Sequence, residues 1–140
     1  MERERKSILI IYLLLLATTI KKYVYVGDTG ELDQEAGETM LREYPREVKA
    51  VFLHVVSDAP NPVVPPPKVI NGRPLVFFRT YVGAAAKATQ LGLMDGNGLH
   101  RVVKAAQDQL SSVAKSSDKW VDIQRDIREA DRTLGVDAAR

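Results

Sequence analysis

The chain has no cysteine. Disulfides and thiolate zinc sites are therefore excluded, and the composition fits a reducing compartment. Histidine is scarce too: His54 and His100 are the only two. That is too few for a His-rich metal site and a poor basis for a Ser-His-Asp triad. No strong charge of one sign is present. The formal net charge is +2, and lysines and arginines are scattered rather than gathered on one stripe. Nucleic acid is not an expected partner. No internal repeat is seen. No apolar run reaches the roughly 20 residues that span a bilayer. What is present is enough for a core: 45% of the 140 residues are hydrophobic. The length suits one domain, or a piece of one.

The first 22 residues form a segment of their own. Glu2 to Lys6 mixes acids with bases, and Ile8 to Ala17 is almost wholly apolar. Three readings stand: a helix from about Ser7 to Thr18 buried against a sheet, a signal-like or anchoring segment, or a disturbed chain start.

From Tyr23 the pattern becomes α/β. Tyr23-Val24-Tyr25-Val26 is a β-branched and aromatic run that stops at Gly27, which predicts a strand. Asp33 to about Tyr44 is helical, with Asp33 as the expected N-cap, and Pro45 ends it. Val48 to Val56 is an almost continuous apolar run, as expected for a strand covered on both faces. Ser57 to Pro74 holds six of the seven prolines and predicts an extended loop. Leu75 to Phe78 predicts another buried strand. An alanine-rich helix follows from about Thr80 to Leu91, with Gly92 at its C-terminal cap. Asp95 to Gly98 is a turn, with Asn97 as expected cap of a helix carrying Leu99, Val102, Val103, Ala106, Leu110 and Val113 on one face. From Asp118 a last amphipathic helix places Trp120, Ile123, Ile127 and Leu134 together. This order implies parallel strands with crossover helices. In such sheets ligands bind beyond the carboxyl ends of strands.

Asp28 sits at such an end, in the stretch VGDTGELD. Asp28 and Asp33 lie five residues apart, with Thr29, Gly30, Glu31 and Leu32 between them. Magnesium prefers oxygen ligands and takes one or two carboxylates from a protein. Asp28 would hold it directly or through water. Asp33 could hold it, orient a ligand water, or cap the helix, and Glu31 could do any of these. Thr29 either touches a phosphate or closes the turn. His54 reads as a satisfied core residue and His100 as a solvent-facing one. Arg79 and Tyr81, beyond the Phe77-Phe78 strand, either face an anionic headgroup or serve the surface and packing.

The wider stretch KKYVYVGDTGELDQEAGETMLREYPREVKAVFLHVV resembles the C-terminal part of a haloacid-dehalogenase-type phosphatase. More narrowly, it is similar to the phosphatidate phosphatases of the yeast actin-patch-protein type, where a segment like FVLVGDSGEKDPEIY precedes a helix, an FP turn and a strand. His54 stands near where that family has Arg. Arg73 to Ala85 (RPLVFFRTYVGAA) resembles the family's PLIFFETYVEAA. The resemblance covers roughly residues 23–110, leaving 1–22 as the apolar N-terminal segment and 111–140 as an amphipathic helical tail.

The resemblance implies a Rossmann-like parallel sheet with helices on both faces. It implies magnesium-dependent hydrolysis of phosphatidate to diacylglycerol. The expected location is the cytoplasm, with peripheral membrane contact or an N-terminal signal or anchor segment left open. Of the family's four motifs, the Gly-Asp acidic motif is clearly matched, by Asp28 and Asp33. The motif lysine has a weak counterpart in Lys6. The Asp-x-Asp pair, whose first Asp attacks phosphorus and whose second is general acid and base, occurs nowhere in the chain. The Ser/Thr motif that should precede Lys6 has no room. The expectation is a truncated, inactive chain with an incomplete magnesium site and a raw sheet edge. The rivals are a catalytically dead interaction module and a membrane-associated protein anchored by Ile8 to Ile20.

Overall fold

A computed structural model describes residues 22–30, 32–58 and 62–135. The helix expected near Ser7 to Thr18 lies outside these residues, as do Lys6 and Glu31. The fold is α/β: an open, mostly parallel four-stranded sheet and four helices among the described residues. The strands are β1 (Tyr23–Asp28), β2 (Val48–His54), β3 (Lys68–Ile70) and β4 (Arg73–Phe78). The helices are α1 (Asp33–Glu43), α2 (Tyr81–Gln90), α3 (Gly96–Leu110) and α4 (Asp118–Leu134). No helix among the described residues is long and apolar enough to cross a membrane.

The chain divides into two compact units. The first comprises residues 22–58 and 63–77 and contains the sheet and α1. Its strands run in the order β1-β2-β4-β3. β1 and β2 are parallel, with Val26 opposite Phe52 and Asp28 opposite His54. Val48, Ala50, Val51, Phe52 and Leu53 of β2 are all buried, as the almost continuous apolar run predicts for a central strand, with Lys49 the one exposed residue. Met40 and Leu41 of α1 pack with Val51 and Leu53 of β2 and with Leu75 and Phe77 of β4. Among the described residues β1 is an edge strand, and its Val24 and Val26 remain 43% and 56% exposed.

The long extended loop expected over Ser57 to Pro74 needs correction. Its last part is β3, paired antiparallel with β4 through a two-residue turn at Asn71 and Gly72. Both have positive φ, 51° and 75°. That is the geometry in which Asn-Gly hairpins match the right-handed twist of the flanking strands. Ile70 and Arg73 flank the turn, so in the next pair, Val69 and Pro74, the ladder with β3 requires no N–H. Proline therefore costs no bond to β3. The Asn71 side chain also donates to the Leu41 and Arg42 carbonyls, at 3.3 and 3.1 Å. These are among the last carbonyls of α1, which have no partner within the helix.

Asn71 thus has two roles that substitutions separate. Asn71→Gly keeps the positive φ and loses the side-chain bonds. Asn71→Ala loses both, and is expected to destabilise by about 2 kcal/mol, against roughly 1 kcal/mol for Asn71→Gly. Urea midpoints check the order, and equal losses would assign the whole effect to the bonds.

The second unit, described over residues 78–135 together with Pro62, holds α2, α3 and α4. Val82, Ala85 and Ala86 of α2, Leu99 and Val103 of α3, and Ile123, Ile127 and Ala130 of α4 form its apolar cluster. Leu134 packs against that cluster, whereas Trp120 is only half-buried. The helix ends are capped by short polar side chains. Thr80 accepts from Gly83 N–H, Asp95 from Gly98 N–H, and Ser117 from Trp120 N–H. Asp95 takes the place expected of Asn97, because α3 begins one residue before Asn97.

Candidate functional site

The site is built where β1 hands over to α1. Tyr23 N–H donates to Glu47 O, and Thr29 N–H donates to His54 O at 2.9 Å. In a parallel ladder consecutive N–H groups alternate sides. The N–H groups at odd positions of β1 therefore face β2, and that of Asp28 faces away. The chain is stitched once more past the strand ends, where Val56 N–H donates to the Thr29 hydroxyl at 3.1 Å. Of the two roles open to Thr29, the geometry displays the turn-closing one.

The N-cap expected of Asp33 is also corrected. Leu32 occupies the cap position, and no side chain caps it. Asp33 is already inside α1, and its carboxylate reaches back toward the strand. Its Oδ2 accepts the Asp28 backbone N–H at 3.0 Å. This N–H points away from β2 and needs an acceptor elsewhere. A carboxylate in the first turn is also favoured by the helix dipole. Asp33 is only 3% exposed. Gly27 makes room for it: a Cβ there would lie 2.6 Å from Asp33 Oδ2 and 2.7 Å from its Cβ.

Asp28 differs. Its Oδ1 is buried and has no hydrogen-bond partner among the described residues. A Cβ added at Gly30 would stand 3.5 Å from it, in ordinary contact. A buried carboxylate oxygen without a donor costs about 1–3 kcal/mol, so an orphan of this kind calls for an explanation. His54, opposite Asp28, is half-buried rather than a core residue.

The structure thus brings Asp28, Thr29 and Asp33 together. Arg79 belongs to the second unit, where its Nε pairs with Asp122 Oδ2 at 3.0 Å. Tyr81 is exposed, with its ring 5.7 Å from that of Phe78. His100 faces solvent.

Among the described residues there is no group of three or more His, Asp or Glu that could hold a metal ion. A magnesium ion asks for less, since it keeps several waters and takes as few as one or two protein carboxylates. The orphaned Asp28 oxygen is the donor best suited to it.

Two acids on α4, Asp122 and Asp126, were not singled out by sequence. Both are buried, at 3% and 5% exposure. Asp126 Oδ2 accepts the Thr80 N–H and hydroxyl at 3.2 and 2.7 Å. The available signal was position: each acid precedes an apolar-face residue, Ile123 or Ile127. Their bonds are internal to the second unit. Comparison with protein-family models, curated proteins and solved structures gave no match.

Proposed function

We propose that residues 23–110 are the acidic, magnesium-holding part of a phosphatidate-phosphatase-like domain of the haloacid-dehalogenase type. The observation that carries this reading is Asp28 Oδ1, unbonded among the described residues and buried at the carboxyl end of a parallel strand. That is where open α/β sheets bind ligands. Asp28 would hold the ion. A bound magnesium would supply charge neutralisation for a phosphate and polarise its oxygens. The Thr29 bonds to the end of β2 and the Asp33 bond to Asp28 N–H keep the turn that presents Asp28 in place.

The lipid substrate is phosphatidate by family resemblance. This chain by itself does not hydrolyse it, because no Asp-x-Asp pair exists in the 140 residues to form the aspartyl-phosphate. A second reading, an interaction module without catalysis, draws on the exposed Val24 and Val26 of β1, an edge strand among the described residues, since such an edge is a template for pairing.

Calorimetric titration with magnesium tests the first reading. Asp28→Asn is expected to weaken binding at least about tenfold without lowering the urea midpoint measured in the absence of metal. Neither protein should release phosphate from phosphatidate in mixed micelles. Equal magnesium binding by both proteins would remove Asp28 from the site. Magnesium-dependent phosphate release by the purified chain would overturn the claim of inactivity.

A further inference from the structure

We infer that Asp33 is a positioning residue, which acts on a divalent cation through the Asp28 backbone N–H and not as a ligand. The inference rests on the magnesium reading above and assigns the second acid of the pair a different role from the first. Sequence leaves Asp33 open as a ligand, as an orienter of a ligand water, or as a helix cap. The structure makes the two carboxylates unlike.

Asp33 is almost fully buried, and its Oδ2 is committed to Asp28 N–H. The carboxylate lies against Gly27 so closely that even a methyl group there would meet Oδ2, Cβ and Cγ at 2.6, 2.7 and 2.9 Å. No ion fits on that side. Asp28 has the complementary properties: a buried oxygen without a donor, on the side of Gly30.

The bond from Asp33 fixes the peptide that carries the Asp28 side chain. It therefore sets where the free oxygen points. This is the part of a second-layer carboxylate, whose removal typically weakens metal binding about 10–100-fold. What Asp33 must supply is an oxygen acceptor of the right size at the right place, and asparagine supplies one as well.

That equivalence gives the test. Wild type, Asp33→Asn and Asp33→Ala are compared in two measurements: magnesium affinity by calorimetry, and exchange of the Asp28 amide by NMR without metal. Amides of Val51 and Leu53 serve as the control for an intact fold. Asp33→Asn should keep the Asp28 amide protected and bind magnesium within about threefold of wild type, the small loss reflecting a missing distant charge. Asp33→Ala should lose that protection and about tenfold or more in affinity.

If Asp33→Asn binds as weakly as Asp33→Ala while its Asp28 amide stays protected, Asp33 is a ligand and the inference fails. It fails equally if Asp33→Ala leaves the Asp28 amide fully protected. Absence of magnesium binding by the wild-type protein is a separate outcome. It overturns the magnesium reading, and with it the role of Asp33 toward a cation, whatever the amide shows.

Discussion

Gly27→Val should destabilise the first unit by roughly 3 kcal/mol, although valine is much the better strand former. Propensity and packing disagree here, and packing wins by magnitude. The β-propensity scale spans about 1 kcal/mol. Against it stand the Asp33 contacts of 2.6 to 2.9 Å that any Cβ would make. Asp33 cannot retreat freely, because its Oδ2 holds the Asp28 N–H and the residue starts α1. Relief must come from displacing the carboxylate, which leaves that N–H without its acceptor, or from shifting α1 over β1. Losses from Gly27→Ala and Asp33→Ala should therefore fall short of additivity, since each disrupts the same contact. Urea unfolding followed by circular dichroism, with amide exchange at Val51 and Leu53, measures both. A change below about 0.5 kcal/mol for Gly27→Val would mean that the turn adapts at little cost, and would remove the structural reason for glycine at this position.

The elements that were legible in the sequence are those whose signals are local. Val48 to Val56 reads as a buried strand because its apolar run is almost continuous, and β2 fills most of it. β1 ends at Asp28 and α1 begins at Asp33, so the turn between them falls where Gly27, Gly30 and the acids predict. The hairpin at Asn71-Gly72 was local as well. It was masked by its setting, since proline dominates the preceding residues and proline argues against strands. The role of Asp33 was not local. A carboxylate at a helix start suits a cap, a ligand or a clamp equally well. Only the direction of the Asp28 N–H, fixed by pairing with β2, selects among the first-turn options. The buried acids of α4 are the extreme case. Asp122 and Asp126 look like solvated charges beside Ile123 and Ile127, and their partners Arg79 and Thr80 lie 43 and 46 residues earlier. No spacing rule on one helix can find such pairs.

Those acids carry the second large effect. Asp126→Ala should destabilise the helical unit by about 3 kcal/mol. The carboxylate accepts both the N–H and the hydroxyl of Thr80, and Thr80 in turn accepts from Gly83 N–H as the cap of α2. Its other oxygen takes Arg125 Nε at 3.3 Å. One truncation on α4 therefore leaves the cap of a different helix without its acceptor. Arg125 is half-exposed and still paired with Asp122, so it adds little to the cost. Asp126→Asn keeps one oxygen for Thr80 and should lose only about 1 kcal/mol. The comparison that separates burial from ion pairing is Glu129→Ala. It removes a Lys87 contact of similar length, 3.1 Å, but each side chain is 25% exposed, and a solvated pair is worth about 0.5 kcal/mol. Trp120, the chain's only tryptophan, lies on α4 and reports on this unit by fluorescence during urea unfolding. If Asp126→Ala and Glu129→Ala cost the same, charge pairing alone accounts for both, and the buried carboxylate beneath the α2 cap has no special role. If Asp126→Ala costs several times more and Asp126→Asn recovers most of it, the acceptor for Thr80 is what joins α2 to α4, and its negative charge is secondary.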